Sequence, residues 1–600
     1  MAKRLYLSGN EAIAYGLVEG GVRFLTGYPG TPSSEILPTA QKLKIQYGFK
    51  GFIDWAVNEK VALEMAFSAS LCGIKSAVTM KQVGLNVAMD PFVNSAYIGP
   101  KTSFVVVVAD DPGPHSSQTE QDSRIAAYFA KVPVLDPSTV EEAYLFAKRA
   151  LEISKDFEIP VMLRTTTRVS HGKSDLKLSK LISQEEYQPS FKENLKNWEK
   201  ELQRLAATPK LRLLLHKKLN EKIENIAEKN MPRFFYEGSL LILTSGIVFS
   251  YLVELIEEHN LQNKITLAKF DMPFPIKSQT FSEFRRVISI EETSPFLELQ
   301  FNTEGRRNGL VPKEGELTPE VCERILSKLG LIPERKVISI PPLKRPSLCP
   351  GCGHRIGLFA LKKVFGKKAI YCGDIGCYTL ALNFGVTDTV FCMGASVSFA
   401  TTIKKVFDEA GKDKEVIGII GDSTFLHSGI PPLIDAYHYK VPFLLVILDN
   451  ETVGMTGNQK TPAQKVSFEG NPLNSIKIEK VLEGLGLEFV KVVDPYDYKE
   501  NIKILKEARE YLKTSDKPCV VIMRHPCVYT REGLLNNPKR PLQVLEDKCT
   551  GCKFCVIEFE CPALNFDEAK KKVFIDKTLC IDCGCCVFVC PKKAISEVKV

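Results

Sequence analysis

Apolar residues in this chain come in short unbroken runs, each followed by a longer stretch with apolar positions at helical spacing. Phe104 to Ala109 and Ile159 to Leu163 are such runs; Glu59 to Leu71 and Thr139 to Ile153 are such stretches. Their alternation predicts a parallel α/β domain over residues 1–170. The pattern changes in 171–235, where FKENLKNWEKELQRLAATPKLRLLLHKKLNEKIENIAEKN is charged and poor in turn signals, and predicts a helical connector with a solvated face. A second α/β segment, 236–335, opens on SLLILTSG and carries no evident catalytic cluster. IPPLKRP, residues 340–346, reads as a proline-rich linker. A third α/β domain follows over 345–531, with strands expected at 415–420 and 441–448. The last block, 540–600, differs sharply: a short Cys-rich unit beginning at Cys549 recurs 31 residues later at Cys580, which predicts a duplicated small domain.

A chain of 600 residues is too long for one core, so several domains are expected. With 44% apolar and 25% charged residues it falls outside the disordered and membrane classes. Lys and Arg exceed Asp and Glu by 8 (79 against 71), too small an excess at this length to imply nucleic acid. Glu11 stands where a signal peptide would need its apolar stretch, and no apolar run approaches membrane-spanning length, so a cytoplasmic protein with no membrane partner is expected. In a reducing compartment the 18 cysteines then read as metal ligands rather than disulfides.

Cys549, Cys552, Cys555 and Cys561-Pro562 are answered in the same order by Cys580, Cys583, Cys586 and Cys590-Pro591. The block resembles bacterial two-cluster ferredoxins, in which the fourth Cys of each run ligates the other cluster. That resemblance implies one [4Fe-4S] cluster on Cys549, Cys552, Cys555 and Cys590, and another on Cys580, Cys583, Cys586 and Cys561. The gap before the last Cys is three residues in the second run and five in the first, so one loop is longer than the pattern. Zinc sites are the competing reading of CxxC pairs; eight ligands, two Cys-Pro pairs and no His in the unit favour clusters. Cys585 is a spare thiol or an alternative ligand. Clusters move single electrons and make no product themselves, so a catalytic centre is required upstream.

In the third domain VIGIIGDSTF ends a strand at Gly421-Asp422, and Asn450 follows 28 residues after that Asp, closing VPFLLVILDN. Asp and Asn oxygens at neighbouring strand ends suit Mg²⁺, a hard cation that also takes phosphate oxygens. The arrangement resembles the metal motif of thiamine-diphosphate enzymes, with Ser423 replacing its second Gly, and implies that the Thr452 carbonyl completes the set. Taken alone, Gly-Asp after a strand is equally a polar turn. Glu59, in DWAVNEKVALEMAFSAS, matches the carboxylate such enzymes place against N1′ of the aminopyrimidine; otherwise it is a surface acid opening a helix. A carboxylic acid there makes acid–base work internal to the cofactor.

GNEAIAYGLVEGGV, GYPGTPSSEI, VTMKQVGLNVAMDP, ADDPGPHSSQTEQDSR, CPGCGH, GDIGCYTL, CMGAS and DNETVGMTG, in this order and ending in the ferredoxin unit, resemble the 2-oxoacid:ferredoxin oxidoreductases across the whole length. Nearest among them are the alpha subunits of indolepyruvate ferredoxin oxidoreductases. The resemblance implies two thiamine-binding parallel-sheet domains, an intervening transketolase C-terminal-like α/β domain and a two-cluster ferredoxin-like α+β domain. It implies that Thr31 lies near the substrate carboxylate and that the loop from His115 to Gln121 faces the active site; a turn Thr and a solvated loop are the plainer readings. Cys349, Cys352, Cys377 and Cys527 match the ligands of a third, cofactor-proximal cluster in pyruvate-type relatives, the alternative being thiols that only line the thiamine pocket. Met455 replaces an Asn of the pyruvate enzymes and suits an aryl substrate. The activity implied is conversion of an aryl pyruvate such as indolepyruvate, with coenzyme A, to arylacyl-CoA and CO₂, with reduction of ferredoxin. A smaller beta subunit is implied, with two alpha and two beta chains in a heterotetramer. Phenylglyoxylate or a branched-chain 2-oxo acid is the second substrate reading. A scaffold with a vestigial thiamine site is the third, and predicts loss of Glu59, Asp422 and Asn450, all of which are present.

Overall fold

The structure, a computed structural model, describes residues 4–178, 201–205, 208–277, 281–333 and 346–598. Much of the expected connector and nearly all of the linker at 340–346 lie outside the described residues. The chain forms two compact units, Met1–Ser339 and Ile340–Val600.

The first unit is built on a six-stranded sheet in the order 52–53, 24–27, 76–81, 104–110, 161–166, 134–135, parallel throughout. Ser76–Lys81, Phe104–Asp110 and Val161–Thr166 are buried at every residue, the reason their sequences do not alternate: helices cover both faces. Strand 104–110 runs one residue beyond the expected run, into Asp110, and 161–166 runs three beyond, into Arg164 and two threonines. After Phe24–Gly27 the chain steps outward to 52–53 and then returns to 76–81 on the other side. The strand order reverses there, and in open parallel sheets ligands bind at the carboxyl ends beside such a reversal.

A second sheet of this unit has the order 286–289, 240–244, 265–269, 233–235. Its first three strands are parallel; Arg233–Phe235, from the segment read as connector, adds antiparallel at one edge. The only long helix described in that segment, Pro209–Lys229, buries just Leu215, Leu219, Ile226 and Ala227, as a solvated helix should. Buried ion pairs cluster at the edge of the first sheet, and one of them, Arg124 with Glu291, reaches the second sheet's domain. Arg124 holds Asp122 at 2.6 Å and Glu291 at 2.9 Å, and Arg164 holds Asp110 at 2.7 Å and Asp136 at 3.1 Å.

The second unit has a five-stranded parallel sheet in the order 370–372, 416–421, 444–449, 519–524, 490–493. Asp422, Asn450 and His525 therefore each follow the carboxyl end of one of three adjacent strands. Two small antiparallel pairs, 542–544 with 595–597 and 564–567 with 572–575, form the Cys-rich block. It packs on helix Gly353–Phe365 of the same unit: the Arg355 guanidinium donates to the Phe559 carbonyl at 2.7 Å, and the Phe359 and Phe559 rings lie 5.5 Å apart. Among the described residues no helix is long and apolar enough to cross a membrane.

Candidate cofactor and redox site

In the first unit, Glu59 is the first residue of helix Glu59–Leu71, behind the cap Asn58, whose side chain accepts from Val61 N at 2.9 Å. An acid in a first turn suits the helix dipole, yet this one is buried, 5% exposed, which a surface acid would not be. It lies against Gly84, where an added Cβ would come within 2.4 Å of Glu59 Oε1. Thr31, in the loop after strand 24–27, accepts at its carbonyl from Ser116 Oγ at 3.3 Å. The loop carrying Ser116 is pinned by Asp111, whose Oδ2 accepts from Ser116 N at 2.8 Å and Ser117 Oγ at 2.7 Å, while Oδ1 accepts from Thr167 Oγ1 at 2.7 Å. Burial would raise the Asp111 carboxyl, but these donors and Lys81 outweigh it and hold it below the usual range. His115 is half exposed and pairs with Glu316 of the second sheet's domain at 3.2 Å. The structure thus brings Thr31 and the 115–117 loop together at the carboxyl edge of the sheet.

Lys81 escaped the sequence reading. It closes strand Ser76–Lys81 and is 8% exposed; its Nζ donates to Ser116 O at 2.9 Å and Ser116 Oγ at 3.4 Å. Burial pushes its ammonium down to about 8, against the opposing pull of Asp111. The available signal was a Lys ending an apolar run, SAVTMK, that is buried throughout.

In the second unit, Asp422 is buried and its Oδ2 has no hydrogen-bond partner among the described residues. Burial, and then Asp449, push its carboxyl well above the usual range. Asp449 is itself held by Arg524 at 2.6 Å. Asn450 Oδ1 accepts from Thr452 N at 3.4 Å, and Thr452 Oγ1 donates to Gln459 O at 2.9 Å, which turns the chain back beside the strand end. The Ser423 side chain, at the departure from the motif, is buried with Asp422. A buried acid repelled by a second acid, with one oxygen unsatisfied, is a site that a cation relieves; these donors fit Mg²⁺ bound to a diphosphate.

Twelve of the 18 cysteines form three groups of four, each read from which thiols perturb one another. Cys555, pushed up to about 12 by burial, also feels Cys590, Cys552 and Cys549. Cys586 is raised by burial and by Cys583, Cys561 and Cys580. Cys377, pushed up to about 12 by burial, feels Cys352, Cys527 and Cys349, and then Asp422. Crowded thiols that resist ionisation one after another are what a positively charged iron–sulfur core would offset. Among the described residues no three His, Cys, Asp or Glu side chains are placed to hold a single metal ion. Cys585 donates to the Cys583 carbonyl at 3.8 Å, and Cys583 is lowered to about 7, first by its hydrogen bond with Cys585. His354, from CPGCGH, is buried with neither ring nitrogen partnered among the described residues, and burial lowers it to about 4, so the ring is neutral.

Family models match in three places: pyruvate flavodoxin/ferredoxin oxidoreductase, thiamine-diphosphate-binding, over residues 15–231; thiamine pyrophosphate enzyme, C-terminal TPP-binding domain, over 374–523; and the 4Fe-4S binding domain over 573–596. Indolepyruvate oxidoreductase subunit IorA of Pyrococcus abyssi is 39% identical over all of this chain and 97% of its own length. The subunit of the same name from Archaeoglobus fulgidus is 37% identical, again over the whole chain and 98% of its own. The chain belongs to the IorA family of indolepyruvate oxidoreductase subunits. As an IorA-family chain it is a thiamine-dependent oxidoreductase subunit with an iron–sulfur domain. Glu59 falls in the first matched segment and Asp422 and Asn450 in the second. Cys580 to Cys590 fall in the third, which leaves the longer-looped run from Cys549 to Cys561 outside it. Among solved structures, a 2-oxoglutarate:ferredoxin oxidoreductase from Magnetococcus marinus is 16% identical, with a TM-score of 0.44, covering 55% of this chain and 65% of its own.

Proposed function

We propose that this chain is the catalytic subunit of an enzyme that oxidatively decarboxylates an aryl pyruvate, indolepyruvate first, in the cytoplasm. Coenzyme A takes the acyl group as its thioester, CO₂ leaves, and the electron pair passes singly through iron–sulfur clusters to ferredoxin. The observation that carries this reading is the presence, in one IorA-family chain, of a buried acid pair at a diphosphate-type strand end and of grouped thiols that crowd one another. A plain decarboxylase has no use for the second feature. Thiamine diphosphate, when bound, supplies the electron sink that lets CO₂ leave a 2-oxo acid.

The chain's own residues have separable tasks. Glu59, fixed against Gly84, would hold the aminopyrimidine at N1′ and supply the acid–base partner there. Asp422, Asn450 and the Thr452 carbonyl would hold Mg²⁺, with Arg524 fixing the Asp449 carboxylate behind them. Thr31 and the 115–117 loop, with His115, border the substrate. Cys549, Cys552, Cys555 and Cys590 hold one cluster, and Cys580, Cys583, Cys586 and Cys561 another. Cys349, Cys352, Cys377 and Cys527 hold a third next to Asp422, since Cys377 feels both that acid and the other three thiols. The working enzyme pairs this chain with a smaller beta subunit, two of each.

Anaerobic, indolepyruvate- and coenzyme-A-dependent reduction of a viologen dye by the purified complex tests the reading. Activity with indolepyruvate that is lost in Glu59→Gln supports it. No reduction with any 2-oxo acid, with clusters and partner intact, would leave an electron-transfer scaffold. Faster turnover of phenylglyoxylate or a branched-chain acid would move the substrate and keep the chemistry; Met455, with a side chain near half exposed, favours the aryl acid.

A further inference from the structure

Four cations stand at or just beyond the carboxyl edge of the first unit's six-stranded sheet: Lys81, Arg124, Arg164 and Arg168. Three are committed to carboxylates, Arg124 to Asp122 and Glu291, Arg164 to Asp110 and Asp136, and Arg168 to Glu316. Among the described residues Lys81 has no carboxylate within ion-pair distance. Its ammonium carries three donors, of which the Ser116 carbonyl and hydroxyl take two. Asp111, the carboxylate that acts on it from farther off, is already saturated by Ser116, Ser117 and Thr167. Burying a charge without a partner is costly, so folding alone gives no reason to keep a lysine here.

Its neighbours identify what the spare charge faces. Gly30, next to Thr31, lies so close that an added Cβ would stand 2.9 Å from Lys81 Cβ, which lays the Thr31 loop along the lysine stem. Ser116 bridges the two, since it receives from Lys81 and donates to the Thr31 carbonyl at 3.3 Å. Next in sequence, Gln82 donates to Ser117 Oγ at 2.9 Å, and its buried Oε1 has no hydrogen-bond partner among the described residues. Three residues past Lys81, Gly84 carries the Glu59 carboxylate. The loop from Pro114 to Ser116 is exposed, so a small ligand reaches this corner from solvent. A 2-oxo acid brings one carboxylate, and that carboxylate needs a counter-charge.

We propose that Lys81 is the cation that receives the carboxylate of the 2-oxo acid, with the Thr31 loop and Ser116 fixing its ammonium. This rests on the function proposed above. Lys81 is a recognition residue; it takes no proton from the substrate and gives none. The charge is matched within the site, which is why no arginine of the edge is diverted to it.

The test is calorimetric binding to the full complex under anaerobic conditions, using indolepyruvate, its methyl ester and coenzyme A against wild type, Lys81→Met and Lys81→Arg. Loss of one charged hydrogen bond weakens binding of the acid by about ten- to a hundredfold. The ester and coenzyme A keep their affinities in Lys81→Met, Lys81→Arg recovers part of the loss, and in turnover the loss falls on KM more than on kcat. Should Lys81→Met not fold, wild type decides. Asp111 stays ionised throughout, so affinity for the acid falls about tenfold per pH unit once the lysine loses its proton above about 8, and affinity for the ester does not. Wild type that binds no 2-oxo acid overturns both this inference and the proposed function. Wild type that binds the acid, with Lys81→Met binding it equally well or losing coenzyme A instead, overturns the role of Lys81 alone.

Discussion

Gly84→Ala is the sharpest probe of the Glu59 site, because it leaves every polar group in place. Gly84 lies in helix Gln82–Val87 with an ordinary negative φ, so the backbone accepts alanine. The new methyl would stand 2.4 Å from Glu59 Oε1, 2.6 Å from its Cγ and 2.8 Å from its Cδ. Ordinary contact is roughly 3.5 Å, so the carboxylate must retreat by about 1 Å. A misplacement of that size costs on the order of a hundredfold in rate, or about 2.7 kcal/mol of barrier. Overpacking destabilises by about 1–3 kcal/mol, and the entropy gained on replacing a helical glycine returns about 0.5–1 kcal/mol, so the fold survives. The assay is kcat/KM for 2-oxo-acid-dependent viologen reduction, with the melting temperature measured on the same samples. Glu59→Asp withdraws the carboxylate by one methylene, so in the double variant the two losses do not add. Gly84→Ala at wild-type kcat/KM would refute the reasoning.

Three further outcomes follow from the same structure. Asp422→Asn removes a buried, repelled carboxylate, so the cofactor-free protein gains about 1–3 kcal/mol of stability, while the rise in melting temperature produced by thiamine diphosphate with Mg²⁺ disappears; persistence of that rise would remove Asp422 from the cation site. Arg164→Met strips the buried partner from Asp110 and Asp136 and lowers stability by about 3–5 kcal/mol in denaturant melts, unlike substitution of an exposed pair such as Lys480 with Glu483. Cys586→Ser lowers the iron content by one cluster and changes the reduced-state paramagnetic spectrum, whereas Cys585→Ser leaves the iron content unchanged; equal loss in both would make Cys585 a ligand.

The order of α/β segments, the strand ends at Asp422 and Asn450, the Glu59 helix and the duplicated Cys runs were legible in the sequence because each is a local signal. Buried parallel strands must be apolar along their length, and cluster ligands must recur at fixed spacings, so neither pattern needs a partner far away to be read. What the sequence could not supply was adjacency. Lys81 looks like any strand-ending lysine until the fold shows that, among the described residues, Arg124, Arg164 and Arg168 at that edge are already paired. Asp449 looks like the residue before Asn450 until burial sets it against Asp422. Cys349, Cys352, Cys377 and Cys527 lie up to 178 residues apart in the chain (527 − 349), and only the packing of the second unit makes them feel one another. Local chemistry is written in spacing, whereas the sharing of charge among buried groups is decided by where the chain returns.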